Sequence, residues 1–521
     1  MNFNKMKEKS VILILSVILV SIVVFNIRTK RIKNIIVMIP DGTSISHMTL
    51  SRWYNSGKKL AVDNIITGLV RTHWKDGIIT DSAASGTAFS TGNRTDIGYV
   101  SVVSHKEGDF YYGKPVATII EAAQKIGKST GIVCTSNLND ATPATFSSHV
   151  INRKMWDIIS EQQVYSNIDV LLGGGSEWYF SGNKKYNRKD GRILKDEIVN
   201  RGYDFVTTKE EMLKSKSDKL WGSFAPVELP IDDANVPTIK DMTKKSLEIL
   251  SKNENGFFLL VEGSKVDWCS HYNDANGIIK EFLDFDKSVE EAIKFAKNRD
   301  DTVVIVCPDH GNGGLTIGVQ DSDYYVKNLE ILHSSMGRMD VETVLKLLNN
   351  DRSNIGYLLK EYCGIENLGK DEEERIKKSD DIKVEINRLI SKRAGLGWTT
   401  KGHTGEDVFL ACYHPNNEEL RGVVDAVDVN KYIEGFFFVD LKELSNNLFV
   451  DASKEFLKKG YKVLKNDNEL LVKKNKNVLR LPYNKDVAFF NNREIKLNGI
   501  NVYTGEYLFV SKDTLDILEK N

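Results

Sequence analysis

Asn34-Ile35-Ile36-Val37-Met38-Ile39-Pro40-Asp41-Gly42 is the stretch that decides the fold. The apolar run after Asn34 is short and unbroken, without the alternation of a half-exposed strand, so it reads as a strand buried on both faces of a parallel sheet. Pro40 and Gly42 end it, and Asp41 is left at its carboxyl end. The same pattern recurs further on. Phe257-Phe258-Leu259-Leu260-Val261 runs into Glu262-Gly263, and Thr302-Val303-Val304-Ile305-Val306-Cys307 runs into Pro308-Asp309-His310-Gly311. Open α/β sheets place their ligand sites beyond the carboxyl ends of such strands. The expected class is therefore α/β, with a central, mostly parallel sheet flanked by helices. Its acidic strand ends are expected to meet in one site.

Three of the chain's 9 histidines fall in these acid-rich, glycine-flanked settings. His310 follows Asp309 directly. His271 lies four residues after Asp267, so on a helical turn the two share one face. His403 sits in Lys401-Gly402-His403-Thr404-Gly405, just before the apolar run Val408-Phe409-Leu410-Ala411-Cys412. Imidazole with carboxylate suits zinc, whereas carboxylate with hydroxyl suits magnesium. His47, His73, His105, His149, His333 and His414 match no such setting and read as ordinary surface or hydrogen-bonded histidines.

A hydroxyl nucleophile is offered by Thr80-Asp81-Ser82-Ala83-Ala84-Ser85-Gly86-Thr87-Ala88. The strand-like run Gly77-Ile78-Ile79-Thr80 precedes it and a small-residue helix follows. In isolation Asp81-Ser82 is a helix N-cap. The unpaired N–H groups and the dipole at a helix start also favour a phosphoryl group there.

With these motifs together, the chain resembles the alkaline phosphatases over residues about 34 to 315 and again about 397 to 435. Thr80 to Ser85 resembles the family's nucleophile segment. Asp140-Ala141-Thr142-Pro143-Ala144 resembles its magnesium-proximal segment, and Arg153, eleven residues past Thr142, stands where the family carries a phosphate-clamping arginine. The stretches at Glu262, Asp267 and His271, at Asp309-His310, and at His403 resemble its remaining metal motifs. The resemblance implies two zinc ions and one magnesium ion. Asp267, His271 and His403 would hold one zinc; Asp41, Asp309 and His310 the second, beside Ser82; Asp41, Thr142 and Glu262 the magnesium. It also implies a phosphorylated Ser82, with Arg153 gripping two phosphoryl oxygens, and Asp140 and Trp268 beside the substrate. Trp268 is a departure, because family members commonly carry lysine or histidine there.

The implied reaction is hydrolysis of small phosphate monoesters. A phosphodiesterase or sulfatase of the same superfamily is the enzyme alternative; the magnesium-type set and Arg153 speak for a dianionic terminal phosphate instead. An inactive surface binding protein is the alternative of another class, and the full set of ligand positions speaks against it.

With 521 residues the chain can bury large cores. Its 71 basic and 72 acidic residues give no indication of a nucleic-acid partner. Five cysteines without close spacing (Cys134, Cys269, Cys307, Cys363, Cys412) form no disulfide framework, and Cys134, Cys307 and Cys412 read as buried thiols. Lys5, Lys7 and Lys9 precede an uncharged apolar stretch from Val11 to Phe25, and Arg28, Lys30 and Arg31 follow it. Residues 1–30 are thus a signal peptide or N-terminal signal anchor. No small-x-small cleavage site follows, which favours the uncleaved anchor and a membrane contact through this segment; the family resemblance implies an exported protein. A homodimer is left open.

Residues 31–440 are expected to form the catalytic domain, with a helical insert at about 320–396 that arches over or beside the site entrance. Residues 441–521 change character: short alternating runs separated by Asn466-Asp467-Asn468, Asn475-Lys476-Asn477, Asn491-Asn492 and Asn498-Gly499 predict hairpins and a β-rich extension.

Overall fold

The computed structural model describes residues 31–107, 110–179, 188, 190–230, 233–318 and 341–520. Its centre is a ten-stranded sheet. In chain order the strands are β1 (Asn34–Pro40), β2 (Ile66–Arg71), β3 (Ser129–Asn137), β4 (Val170–Gly174), β5 (Asp204–Val206), β6 (Leu220–Ser223), β7 (Phe257–Gly263), β8 (Thr302–Val306), β9 (Val408–Tyr413) and β10 (Gly422–Asp425). They lie in the spatial order β10-β2-β9-β8-β1-β7-β3-β4-β6-β5. Only β9 runs antiparallel to its neighbours, β8 and β2. The expected class, central sheet and flanking helices are all present.

Every residue of β1 is buried. Ile35, Val37 and Ile39 enter a core layer with Phe89, Phe146 and Val429, whereas Ile36 and Met38 enter the opposite layer with Met242, Phe282 and Val289. Apolar side chains on both faces force helices onto both, which explains why the strand pattern lacked alternation. The neighbours β8, β1, β7 and β3 are mutually parallel. Their carboxyl ends therefore open on one edge, and Asp309-His310, Asp41, Glu262 and the Asp140 segment all leave the sheet there.

Helix α1 (Ser82–Thr91) is buried along its whole length, and α2 (Ala141–Ser147) packs close beside it. A Cβ at Gly86 would lie 2.6 Å from Thr145 Oγ1, so small residues on α1 permit that approach. Helix α3 (Lys265–His271) leads to the long amphipathic α4 (Ala275–Lys297), which turns Phe282, Phe285, Val289 and Ala292 to the core. The run Gly77–Thr80 is not a strand, contrary to expectation. It is a loop with Ile78 and Ile79 exposed; Thr80 O is engaged by a histidine ring, and among the described residues no strand pairs with the run.

The insert is helical over its described part, with α5 (Val341–Lys346), α6 (Ile355–Cys363), α7 (Lys370–Lys378) and α8 (Ile382–Arg393) around a small core of Val344, Leu359, Ile376, Ile386 and Ile390. Asn387 Nδ2 donates to Tyr272 O at 3.0 Å, so α8 meets the residue that follows His271. Residues 319–340 and the apolar stretch Val11–Phe25 lie outside the described residues. No helix among the described residues is long and apolar enough to cross a membrane.

Beyond Phe438 the chain first forms two helices, α9 (Leu441–Leu448) and α10 (Ala452–Lys458), which the hairpin reading did not anticipate. Asp440 and Asp451 cap them by accepting from the backbone N–H of Glu443 and Lys454. Then comes an antiparallel meander of β11 (Lys462–Lys465), β12 (Glu469–Lys474), β13 (Asn477–Pro482), β14 (Val487–Phe490) and β15 (Arg493–Lys496). Asn491 and Asn492, with φ of 48° and 68°, make the two-residue turn between β14 and β15. Asn498-Gly499 is a connecting loop rather than a hairpin turn. Leu441, Leu444, Phe449, Val502 and Phe509 join the core layer of the main sheet, so the extension is packed onto the body.

Candidate active site

Asp309 is fixed by the backbone around its strand end. Asp309 Oδ1 accepts the N–H groups of Gly42 and His310, both at 3.0 Å, leaving Oδ2 buried without a hydrogen-bond partner. Asp41 Oδ1 and Glu262 Oε2 are likewise buried and unpartnered. Thr142 Oγ1 lies 3.5 Å from Asp41 Oδ2. Gly42 has a φ of +62°, and a Cβ there would lie 2.4 Å from Asp267 Oδ1, so only glycine lets the Asp41 and Asp267 segments approach.

The three histidines share one arrangement. His271 Nδ1 is paired with Lys401 O at 2.7 Å, His403 Nδ1 with Thr80 O at 2.7 Å, and His310 Nδ1 with Gly311 O at 3.2 Å. A carbonyl can only accept, so each Nδ1 carries the hydrogen and each Nε2 offers a lone pair. Those Nε2 atoms face carboxylates. His271 lies 3.3 Å from Asp267 Oδ2, His403 3.7 Å from Asp267 Oδ1, and His310 3.5 Å from Asp41 Oδ1 and 3.3 Å from Asp309 Oδ2. Lone pairs aimed at carboxylate oxygens repel unless a cation lies between them, and backbone-oriented imidazoles are the usual support of metal ligands. Two trios have ligand atoms within 4.8 Å of one another, Asp267–His271–His403 and Asp41–Asp267–His310. The donor set fits divalent metal ions.

Electrostatics agree. Burial, with Asp309, Asp267 and Glu262 nearby, pushes the Asp41 carboxyl well above its usual range. Burial and the neighbouring Asp140 do the same to Glu262. Burial would also raise Asp267, but the adjacent His271 and the nearby His310 and His403 hold it below the ordinary range. Burial and the adjacent His310 lower His403. Crowded buried carboxylates of this kind are relieved by positive charge.

Ser82 opens α1 and is buried, with Oγ 3.2 Å from His310 Nε2. Asp81, the N-cap, accepts from Ala84 N–H at 2.9 Å and from Gly98 N–H at 3.2 Å. Arg153 reaches the same place from outside the sheet, 3.4 Å from Asp81 Oδ2 and 3.2 Å from Asp140 Oδ1. Burial opposes its charge, but Asp140 and Asp81 hold its pKa above the usual value. Its side chain keeps 29 % of its surface, so the fork remains reachable.

Residues 32–438 match the family described as alkaline phosphatase. The chain belongs to the alkaline phosphatase family. It is similar to alkaline phosphatase 3 of Bacillus subtilis (35 % identity over 77 % of this chain and 88 % of the relative). It is also similar to the repressible alkaline phosphatase of Saccharomyces cerevisiae (30 % identity over 80 % of this chain and 83 % of the relative). Among solved structures, the alkaline phosphatase of Thermus thermophilus superposes with a TM-score of 0.70 at 27 % identity, covering 78 % of this chain and 91 % of that one. The protein is an alkaline phosphatase, a hydrolase of phosphate monoesters from a metal-dependent family.

Within this alkaline phosphatase, Asp41, Ser82, Thr142, Glu262, Asp267, His271, Asp309, His310 and His403 converge at the carboxyl edge of the sheet. Arg153 pairs with Asp81, the residue before Ser82, and with Asp140, and Trp268 is part-buried and follows Asp267 in the chain. Sequence reasoning missed Asn312. Its Nδ2 donates to Asp267 Oδ1 at 2.6 Å and to Asp267 O at 3.2 Å. The only signal was its position in His310-Gly311-Asn312-Gly313-Gly314, and an asparagine among glycines reads as a turn. Asp81 was read as a cap alone; it also holds Arg153. His47 proves fully buried, with its pKa lowered to about 4 by burial.

Proposed function

We propose that hydrolysis proceeds through a phosphorylated Ser82 at a centre of two zinc ions and one magnesium ion. The observation that carries this reading is Ser82 Oγ at 3.2 Å from His310 Nε2, at the edge of the acid–histidine cluster and at the start of α1. Asp267, His271 and His403 would hold one zinc, Asp41, Asp309 and His310 the other, and Asp41, Thr142 and Glu262 the magnesium. Bound there, the ions supply Lewis acidity, lowering the pKa of a hydroxyl or water and stabilising charge on attacking and leaving oxygens.

The chain's own residues do the rest. Arg153, kept in place by Asp81 and Asp140, offers a planar fork to two non-bridging phosphoryl oxygens. The N–H groups at the start of α1 face the same phosphoryl group. Ser82 Oγ forms a bond to phosphorus as the ester P–O bond breaks, and the alcohol leaves with a proton. Water then attacks phosphorus from the opposite side, the Ser82 Oγ–P bond breaks, and inorganic phosphate leaves. Trp268 puts an indole where a cation would tighten phosphate binding, which favours product release.

The test compares hydrolysis of a phosphate monoester, a phosphate diester and a sulfate ester by the purified protein, before and after chelation. Monoester turnover should dominate, vanish on chelation and return with zinc plus magnesium. Preferred diester or sulfate turnover, or turnover that survives chelation, contradicts the reading. We also propose export with residues 1–30 as an uncleaved anchor, supported by the basic residues around Val11–Phe25. Recovery of the full-length chain in the cytosolic fraction would refute it.

A further inference from the structure

Three large exposed apolar side chains stand on two segments joined to the candidate site without belonging to any core. Ile78 and Ile79 keep 74 % and 53 % of their surface although they stand four and three residues before Ser82, and Ile97 keeps 46 %. Their segments are fastened to the groups that face the reacting phosphate. Thr80 O accepts the Nδ1–H of His403 at 2.7 Å. Two residues beyond that histidine, a Cβ at Gly405 would lie 2.7 Å from Ile78 Cγ2 and 3.4 Å from Ile79 Cγ1, so both isoleucines lie against the segment that follows His403. On the other flank Gly98, next to Ile97, donates its N–H to Asp81 Oδ2 at 3.2 Å and accepts the N–H of Arg153 at 2.8 Å.

A single exposed isoleucine needs no explanation. Three of them, each within two residues of a backbone group hydrogen-bonded to His403, Asp81 or Arg153, are a different matter. They border a site whose candidate ligands, nucleophile and clamping arginine are all polar or charged. Phosphate, bound by charge, cannot use them; the alcohol portion of an ester is the part that reaches outward past them. An aryl or alkyl group laid on the isoleucines would remove apolar surface from water on both partners. A polyol would lose water from its hydroxyls and find no hydrogen-bond partner on these side chains.

Resting on the monoesterase reading above, we propose that Ile78, Ile79 and Ile97 form an apolar rim that receives the alcohol portion of the substrate. The enzyme then selects monoesters of aryl and longer alkyl alcohols over those of polyols and sugars. In chemical terms these are specificity-determining residues, and the bond-making steps stay with Ser82 and Arg153.

The experiment measures kcat/KM for 1-naphthyl phosphate and glycerol 1-phosphate on the full chain loaded with zinc and magnesium, and takes their ratio. Intrinsic leaving-group reactivity is the same for every variant, so it cancels when ratios are compared. In Ile78→Ser/Ile79→Ser the naphthyl-to-glycerol ratio should fall about tenfold, and in Ile97→Ser about threefold, the scale of lost apolar contacts at a partly wet surface. Ile78→Leu/Ile79→Leu should keep the ratio. Sedimentation velocity on each variant reports assembly. A ratio unmoved within twofold overturns the rim. So does an equal loss on both esters, which would mean that the loop merely shapes the site. So does a change in assembly, which would mean that a second copy of the chain covers these side chains. If the wild type releases phosphate from neither ester, the monoesterase reading itself fails, and the rim with it.

Discussion

Asn312 offers a perturbation that leaves every proposed metal ligand and the nucleophile in place. Its amide donates to the Asp267 carboxylate at 2.6 Å and to the Asp267 carbonyl at 3.2 Å, in a fully buried setting. Asn312→Leu keeps a similar volume and removes both donors. A hydrogen bond to a charged group contributes about 1.5–3 kcal/mol. Asp267 belongs to both trios of candidate metal ligands, so its loosening should register as weaker metal binding. Loss of an orienting partner typically costs about 10- to 100-fold in metal affinity. The upper part of the hydrogen-bond range converts to the same scale, since about 1.4 kcal/mol is a factor of ten. Zinc affinity is read by competition with a chromophoric chelator on the full chain. Thermal unfolding of the metal-free protein runs alongside, so that a general loss of stability is seen separately. Expected are a zinc affinity at least tenfold weaker and a metal-free unfolding temperature within a few degrees of wild type. Zinc affinity within twofold of wild type would refute the claim that Asn312 holds Asp267 for a metal.

Three further outcomes are expected. Arg201→Met removes the partner of Asp486, which is almost fully buried and 2.6 Å away; the uncompensated charge should cost about 3–5 kcal/mol in urea unfolding, and a loss under 1 kcal/mol would contradict a structural role for the pair. For His149, burial lowers the pKa but the charge and hydrogen bond of Glu121 at 3.2 Å more than reverse this, so the folded value lies above 6.5. A raised folded pKa stabilises fully below 6.5 and loses that contribution as pH rises through the folded value, so His149→Gln should destabilise more at pH 6 than at pH 8.5; equal losses would contradict it. Trp268→Lys should lower the inhibition constant of inorganic phosphate about fivefold by adding a cation beside a dianion, and unchanged or weaker inhibition would show that position 268 does not face the phosphate site.

The sheet was legible because its central strands are apolar on both faces, and each ends in a residue that apolar packing cannot explain: Asp41, Glu262 and Asp309. His271 was legible from its four-residue offset to Asp267 on a helix, and the pair does share a face. What composition and spacing could not carry was long-range. Nothing local marks Asn312 as the partner of a carboxylate 45 residues earlier. The isoleucines of Gly77–Thr80 imitate a strand, yet the hydrogen bond that holds their loop comes from His403, 323 residues on. In the extension, the asparagine turns of the meander were legible, whereas α9 and α10 were not. Their caps, Asp440 and Asp451, are single residues in a run rich in lysine and asparagine; the apolar side of α9 belongs to the core of the main sheet and that of α10 to the core of the extension.

The central claim is covalent chemistry at Ser82. The direct measurement is acid-quenched rapid mixing of the zinc- and magnesium-loaded protein with an aryl phosphate, followed by digestion and mass spectrometry of the peptide containing Asp81-Ser82. A phosphoryl group on Ser82 should form within the first turnover. It should be absent from Ser82→Ala, whose kcat should fall by at least about 100-fold while bound zinc remains. No phosphorylation of Ser82 at any quench time, together with near-normal turnover by Ser82→Ala, would contradict it.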